Sequence, residues 1–246
     1  IMDRGVGQIA QTLDELALRD DTILMFTSDN GPAFNLRPDQ VPEGMDTNTL
    51  RYNCGFNGQK GSVYEGGIRV PMIMNWPGGL EGGRRVDDLV HATDWLPTLA
   101  NICGVERPGG RPLDGCDALP ILRGSGGEAP ARFWQLNAQQ PVGWINAAMR
   151  AGPWKLVRPR LAEKPQSDAD QRLMDRYVEM DIRYKYHPDE VTTLMDDPDP
   201  QLITPPPIAP ELYNIEHDPE EKNNLAESEP ERTSHMLGAL QDWFDG

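Results

Sequence analysis

The sequence has few cysteines, few aromatic residues, no long apolar run and a deficit of positive charge. Three cysteines in 246 residues are too few for a disulfide framework and are odd in number. The longest apolar runs, 23–26 and 70–74, are far shorter than a bilayer span, so we expect no transmembrane helix. The formal net charge of −16 disfavours nucleic acids and anionic membranes as partners, because both would be repelled.

One apolar run is followed at once by oxygen-bearing side chains. Residues 22–27 are apolar, β-branched or aromatic and predict a strand buried on both faces, as in a parallel sheet. Asp29 and Asn30 come directly after it, where open α/β sheets place their ligands. A carboxylate beside an amide oxygen suits Ca²⁺ or Mg²⁺ rather than zinc. A plain turn is the alternative, because Asp-Asn-Gly is also a common turn sequence.

A glycine-rich segment carries a single lysine. Gly58 and Gly61 flank Lys60, so the backbone can approach a ligand while the ammonium supplies a compact charge. The alternative is a solvated loop lysine, which is the commoner environment for this residue. Glu65 and Arg69 lie four residues apart in the same segment and predict an internal ion pair that holds the loop. Together with Asp29 and Asn30, the segment predicts a binding site for a doubly charged oxyanion.

These motifs form part of an ordered series that runs through most of the chain. The series comprises SDNG at 28–31, G-x-K-G-x-x-x-E-G-G-x-R-V-P at 58–71, WPGG at 76–79, TDWLPTL at 93–99, GPWKLV at 152–157, ELYNI at 211–215 and DPEEKNNLA at 218–226. In this order it resembles the second half of a type I, formylglycine-dependent sulfatase of the alkaline phosphatase superfamily. Arylsulfatases are the nearest subgroup. Single elements would be weak evidence, whereas the ordered set is specific.

The resemblance implies roles for three residues. Asp29 and Asn30 match the metal-binding Asp-Asn pair, with Ca²⁺ as the expected cofactor and Mg²⁺ as a possible substitute. Lys60 matches the lysine that contacts the sulfate and steadies the leaving oxygen. The family's nucleophile is a formylglycine made from the first residue of Cys-x-Pro-x-Arg or Ser-x-Pro-x-Arg, accompanied by an Asp-Asp metal pair and further Lys and His groups. We expect these groups in an amino-terminal half that is missing here.

The cysteines agree with that expectation. None of the three is followed by the proline and arginine of the maturation motif: Cys54, Cys103 and Cys116. The family's reaction needs a nucleophile, a base, and a metal with cationic side chains that neutralise charge on the sulfate oxygens. This chain has only part of the last of these three sets, so the isolated chain is predicted to have no sulfatase turnover. Cys103 and Cys116 could form a disulfide or remain free thiols, and the sequence leaves both states open.

The predicted fold is α/β and has two parts. Residues 1–124 are expected to form the carboxyl-terminal half of the catalytic domain, with part of an alkaline-phosphatase-like mixed sheet flanked by helices. Residues 125–246 are expected to form a smaller α+β subdomain with an antiparallel sheet and a terminal helix, after a linker at 124–127. The predicted helices are 7–18, 94–103, 168–186 and 230–244, the predicted strands are 22–27, 70–74, 133–136, 145–149, 154–157 and 211–215, and 196–210 is expected to be extended.

The histidines and tyrosines are assigned structural or surface positions. For His91 we favour a structural hydrogen bond over a position in the pocket. The other three histidines are predicted to lie in surface loops or on the terminal helix: His187, His217 and His235. Three tyrosines between the strands are predicted to be packing residues rather than an aryl pocket, because aromatics at near-helical spacing usually pack: Tyr177, Tyr184 and Tyr186.

The resemblance implies hydrolysis of sulfate esters by the complete protein. The expected partners are a small sulfate ester or a sulfated glycan and the missing amino-terminal half. Periplasmic, secreted or lysosomal localisation is what the family suggests. Two alternatives remain: a phosphodiester or phosphonate hydrolase of the same superfamily, and a non-catalytic fragment or interaction module.

Overall fold

A computed structural model describes residues 1–34, 51–106, 112–126, 129–137, 140–192 and 196–246. Within these residues the α-helices are α1 (Met2–Glu15), α2 (Glu65–Ile68), α3 (Trp95–Ile102), α4 (Leu119–Leu122), α5 (Asp168–Tyr186) and α6 (Pro230–Asp245). The strands are β1 (Leu24–Thr27), β2 (Met72–Asn75), β3 (Arg132–Gln135), β4 (Ala147–Ala151), β5 (Trp154–Arg158), β6 (Lys164–Pro165), β7 (Leu202–Ile203) and β8 (Glu211–Asn214). Helices combined with these sheets give the predicted α/β class.

The central element is an antiparallel sheet with the strand order β3-β4-β5-β8. A two-residue turn at Gly152 and Pro153 joins β4 to β5, with Ala151 opposite Trp154. Gly152 has a φ of +54°, a conformation that favours glycine. The predicted antiparallel sheet is therefore confirmed.

Both faces of this sheet are covered. Alternation along the strands sends one set of side chains towards α6. That face is a core of Ala147, Met149, Leu156, Leu212, Met236 and Leu240. The opposite face contains Ala148, Val157, Tyr213 and Ile215, which pack against Val63 from the glycine-rich segment. The sheet is thus a sandwiched layer whose second cover comes from residues far earlier in the chain.

The strand that precedes Asp29 differs from its prediction. β1 pairs with β2 in antiparallel fashion, with Leu24 opposite Asn75, in a two-stranded sheet. Its first three residues are half-buried and Thr27 is exposed. On β2, Ile73 is 63% exposed. The expectation of a parallel strand buried on both faces is wrong for the described residues, because a two-stranded ribbon has no neighbouring strands or helix layers to cover its faces.

The first helix is amphipathic but has no buried residue. α1 begins five residues earlier than predicted and ends at Glu15, and Ala17 just beyond it has a φ of +54°. Ile9 and Leu16 on this helix and its cap are 54% and 61% exposed. The apolar side chains that define the helical pattern therefore have no packing partner that buries them within the described residues.

The second predicted helix is shorter than expected. A 3-10 turn at Ala92–Asp94 precedes α3, and Pro97 lies in the first turn of α3, where its missing N–H is tolerated. Gly104 follows the helix with a φ of +63°, which satisfies the carbonyl groups at its end.

The segment between β5 and β8 contains the predicted helix with the predicted bounds. α5 is capped by the Ser167 side chain, which accepts a hydrogen bond from the Asp170 N–H. Tyr177, Tyr184 and Tyr186 are exposed, so their assignment as packing residues is wrong. The reason is that α5 has no buried residue, and its main contacts are with β6 and the 3-10 turn at Pro188–Glu190. The segment 196–210 contains β7 and otherwise no regular secondary structure, so its extended backbone stays a prediction.

Three further predictions concern the linker, the membrane and the cysteines. Gly124 follows α4 with a φ of +78°, whereas Gly127 lies outside the described residues. None of the helices described is long and apolar enough to cross a bilayer. Cys103 and Cys116 are free thiols; the former is exposed and the latter is half-buried.

Candidate functional site

The turn that contains Asp29 and Asn30 lies against the segment that contains Lys60. The Gly31 N–H donates to the Gly67 carbonyl at 2.9 Å, and the Lys60 N–H donates to the Pro32 carbonyl at 3.0 Å. The two predicted site segments are therefore joined through their backbones, although about 30 residues separate them along the chain.

Glycine is required where these segments meet. A Cβ atom at Gly31 would overlap the Gly66 carbonyl, and one at Gly67 would overlap the Ser62 carbonyl. A Cβ atom at Gly66 would overlap the carbonyls of Asn57 and Gly58. The glycines of the two motifs thus permit close backbone approach, which a larger residue would prevent.

Asp29 and Asn30 offer two oxygen ligands at this junction. Asp29 is exposed and Asn30 is half-buried. The Asn30 Nδ2 donates to the Gly31 carbonyl at 2.9 Å, which leaves its Oδ1 as the side-chain atom for a cation. This donor set fits Ca²⁺ or Mg²⁺ as part of a coordination shell, which needs about six oxygens. In the part of the chain that the structure describes, no group of three or more Asp, Glu, His or Cys residues is arranged to hold a metal.

The Lys60 side chain is exposed at the edge of the glycine-rich segment. A second cation lies nearby: the Arg160 Nη1 is 3.6 Å from where a Cβ atom of Gly61 would stand. The exposed Lys60 agrees both with an anion contact and with the solvated loop lysine that was the alternative. Its fixed backbone distinguishes it from a lysine on an unanchored loop.

A buried cluster of charges lies directly behind this segment. Lys155 on β5 is fully buried, and its Nζ lies 2.8 Å from Glu65 Oε1 and 2.8 Å from Glu221 Oε1. The contact with Glu65 has the geometry of a hydrogen bond, whereas that with Glu221 is an ion pair without it. Arg69 and Arg150 add positive charge, at 3.5 and 3.9 Å from Glu65 Oε2. The predicted Glu65–Arg69 pair is thus confirmed as one edge of a larger network.

The network also holds the backbone of the glycine-rich segment. Glu221 Oε2 accepts a hydrogen bond of 2.7 Å from the Glu65 N–H at the start of α2. Burial raises the pKa of the Glu221 carboxyl, and the charge of Lys155 opposes that rise. Sequence reasoning missed Lys155 and Glu221 as partners of Glu65. The available signal was a charged residue at the centre of each of two late motifs, GPWKLV and DPEEKNNLA.

Two tyrosines share another carboxylate beside this network. The Tyr64 hydroxyl donates to Glu211 Oε2 at 2.6 Å, and the Tyr213 hydroxyl donates to the same atom at 2.8 Å. Burial and the adjacent carboxylate both raise the pKa of each phenol. Both tyrosines therefore remain protonated donors, and the hydrogen bond from Tyr64 ties the segment to β8.

Asn146 anchors the amino-terminal side of the same segment. It is buried with a φ of +48°, a conformation that asparagine tolerates. Its Oδ1 accepts from the Val63 N–H at 3.2 Å, and its Nδ2 donates to the Gly61 carbonyl at 3.0 Å. Lys60 therefore lies one residue before a point held by the central sheet. Residues 58–69, which fall within the predicted 1–124 domain, pack on the predicted 125–246 subdomain.

His91 has the structural role that the sequence favoured. Its ring Nδ1 caps the turn at Thr93, and its backbone N–H donates to Asp94 Oδ2 at 2.7 Å. Asp94 is buried and pairs with Arg132 Nη2 at 2.5 Å. Burial first, and then the charge of Arg132, lower the pKa of the His91 ring. The TDWLPTL motif thus links α3 to β3 through a buried ion pair.

One pentapeptide does have the spacing of the nucleophile motif. Ser228-Glu229-Pro230-Glu231-Arg232 reads Ser-x-Pro-x-Arg, contrary to the expectation that no such run occurs here. It lies after Lys60, opposite to the family order, and forms the start of α6 with proline at the first helical position. The Ser228 hydroxyl donates to the Leu225 carbonyl at 3.1 Å, and the Arg232 guanidinium stacks 4.1 Å from the Trp154 ring centroid. These contacts explain the pentapeptide as a helix start.

Two family models match overlapping parts of the chain. The Sulfatase model matches residues 1–105, and the model for the carboxyl-terminal region of N-sulphoglucosamine sulphohydrolase matches residues 55–157. Both matches include the glycine-rich segment that contains Lys60.

Curated relatives and a solved structure agree with the family models. Mouse (Mus musculus) steryl-sulfatase is 39% identical over 150 residues, which is 60% of this chain and 23% of the relative. An N-acetylgalactosamine-6-O-sulfatase of Bacteroides thetaiotaomicron is 28% identical over 98% of this chain and 40% of the relative. A solved structure from a glycosaminoglycan-metabolism locus of the same bacterium has a TM-score of 0.64 and 27% identity, covering 98% of this chain and 42% of that one. The chain thus spans less than half the length of these proteins and matches their carboxyl-terminal part.

Proposed function

The chain belongs to the sulfatase family, and on this premise we propose that it supplies part of the metal and sulfate site of a sulfate-ester hydrolase. The observation that carries the proposal is the backbone junction between the Asp29–Asn30 turn and the Lys60 segment. It joins the backbone next to the two proposed oxygen ligands to the backbone of the lysine that would supply the ammonium, in a family whose members act on sulfate esters.

The proposed roles follow from the chemistry of each group. Asp29 and Asn30 would hold a divalent cation, most suitably Ca²⁺, which when bound neutralises negative charge on sulfate oxygens. Lys60 would donate hydrogen bonds to the sulfate and stabilise the leaving oxygen as its negative charge develops. The net charge of −16 repels a sulfate ester, so this local positive charge must exceed the field of the whole chain at the site.

The nucleophile is proposed to come from an amino-terminal part of the complete protein, as a formylglycine. We also propose that such a part completes the coordination shell, because Asp29 and Asn30 alone provide two side chains towards about six ligands. The isolated 246-residue chain is then inactive. Hydrolysis of an aryl sulfate by the purified chain, abolished by a chelator and by Lys60→Ala, would contradict this.

The substrate of the complete protein is proposed to be a small sulfate ester or a sulfated glycan, and its compartment periplasmic, secreted or lysosomal. A glycan is supported by the bacterial relative that is named N-acetylgalactosamine-6-O-sulfatase.

The test uses the complete protein with matched aryl sulfate and phenyl phosphonate substrates. We expect sulfate release that is at least about 100-fold lower in Lys60→Ala, which is typical of losing one group that stabilises developing charge. The control is Lys185→Ala, which removes an exposed lysine that pairs with Asp181 on α5 and should leave the rate unchanged. Faster release of phosphonate than of sulfate would instead support the related hydrolase class. Equal rates for Lys60→Ala and the unmodified protein would refute the role of Lys60.

A further inference from the structure

The buried charges behind the glycine-rich segment form the centre of a connected set of contacts. Lys155 lies on the face of the sheet that packs against this segment, in register with Arg150 and Tyr213 on its neighbouring strands. A fully buried ammonium is costly unless it is paired. Here two carboxylates share it, one from α2 and one from the loop after β8. The ammonium thus links three parts of the chain.

A short path of hydrogen bonds connects this ammonium to both candidate site segments. Glu65, held by Lys155, is the first residue of α2, and Gly66 and Gly67 follow it directly. The Gly66 N–H donates to the Asn57 carbonyl at 2.6 Å, next to the start of the Lys60 segment. The Gly67 carbonyl accepts the Gly31 N–H, which fixes the residue after Asn30. The buried Lys155 side chain is therefore connected, through Glu65 and the backbone of the two glycines that follow it, to the Lys60 segment and to the turn that contains the proposed metal ligands.

We propose that Lys155, with Glu65 and Glu221, is a positioning residue that sets the place of Lys60 relative to the Asp29–Asn30 turn. Lys155 does not touch substrate in this arrangement, because it is fully buried. The sheet would thereby hold the segment rigid before substrate binds. This matters for the rate, because displacing a catalytic group by about 1 Å can lower the rate by a large factor. The inference rests on the proposed function for its kinetic consequence, whereas its structural consequence is independent of any activity.

The structural test is amide hydrogen exchange in the full chain. In Lys155→Met, two buried carboxylates lose their shared cation, so we expect the amides of Lys60, Gly66 and Gly67 to exchange about tenfold faster relative to those of β3 and β4. The matched control is Leu240→Ala, which weakens the core on the opposite face of the same sheet. It should leave the ratio of segment to sheet exchange unchanged. An equal rise of that ratio in both variants, or no rise in Lys155→Met, would overturn the proposal.

A milder variant keeps the test decisive if Lys155→Met does not fold. Glu221→Gln keeps the side-chain volume and an oxygen for the Glu65 N–H but removes the charge that faces Lys155. We expect exchange of the same three amides to rise about threefold relative to β3 and β4. An unchanged ratio in this variant would refute the role of the cluster.

The kinetic test uses sulfate-ester hydrolysis by the complete protein. We expect Lys155→Met to lower kcat about tenfold with KM changed by less than about threefold, because Lys60 would be misplaced at the transition state. Leu240→Ala should leave both constants within about twofold of the unmodified protein. If the unmodified complete protein releases no sulfate, the proposed function fails and the exchange ratio alone decides the positioning role. If Lys155→Met and Leu240→Ala lower kcat equally, Lys155 contributes only to stability.

Discussion

The two ends of this chain differ in how completely their apolar side chains are covered. In the antiparallel sheet, Ala147, Leu156 and Leu212 are fully buried on the face that packs against α6. In the first 105 residues, α1 has no buried residue and the β1–β2 ribbon exposes Ile73. The sheet is therefore covered on both faces, whereas the first region contains a helix and a two-stranded ribbon that no other layer covers within the described residues. Lys60 belongs in sequence to the first region but is held by the second.

The largest expected effect comes from a substitution in the core of the antiparallel sheet. Leu212→Ala deletes a fully buried side chain of β8 in the core that contains Met236 and Leu240 of α6, and should lower the free energy of unfolding by about 2–5 kcal/mol. Urea unfolding of the full chain measures it. A loss below about 1 kcal/mol would show that this layer is no better packed than the first region.

A smaller loss is expected where the segment and the sheet share a carboxylate. Tyr64→Phe removes one of the two phenol donors to Glu211, and the second donor, Tyr213, remains. The free energy of unfolding should fall by about 1.5–3 kcal/mol, the range for a hydrogen bond to a charged group. The same urea titration measures it, with Tyr177→Phe on the exposed helix α5 as the matched control. Equal values for the two substitutions would argue that the segment is not tied to β8.

The raised pKa of the Glu221 carboxyl should be detectable in the pH dependence of the free energy of unfolding. Its folded pKa is above the ordinary value of 4.5, so the folded state retains a proton that the unfolded state releases as pH rises above that value. The free energy of unfolding therefore loses a contribution from Glu221 as pH increases from about 4.5 through the raised pKa. Subtracting the Glu221→Gln profile from that of the unmodified chain isolates this slope. Parallel profiles between pH 4.5 and 7 would contradict the raised pKa.

The smallest effect is expected in the first region. Ile73→Thr replaces a side chain that is 63% exposed with another β-branched residue, so the free energy of unfolding of the chain should change by less than about 0.5 kcal/mol. A loss comparable to that of Leu212→Ala would mean that the β1–β2 ribbon is covered in solution, by a second copy or another part of the chain. Measuring the loss at two protein concentrations separates these two cases.

Local signals in the sequence predicted local structure well. The predicted helix 168–186 has the same bounds as α5, and the predicted strands 145–149 and 154–157 overlap β4 and β5. The lone lysine between glycines marked the segment that meets the Asp29–Asn30 turn. These features depend on neighbouring residues, whose conformational preferences can be recognised directly.

Contacts between distant residues could not be predicted in the same way. Lys155 lies 90 residues from Glu65, and Glu221 lies 156 residues from it, so no spacing rule links them. The antiparallel partner of β1 was also missed, because an apolar run does not specify the direction of its neighbour. The exposed tyrosines of α5 show the same limit, since a helical spacing does not show whether a partner is present.

Hydrogen exchange across the unmodified chain tests the central claim most directly, namely that the antiparallel sheet holds the Lys60 segment. The account predicts that the amides of Lys60, Gly66 and Gly67 are protected to a degree similar to those of β4 and β8, and that the amides of α1 and β1 exchange much faster. Fast exchange of the Lys60 segment together with α1 and β1, while the sheet stays protected, would contradict it.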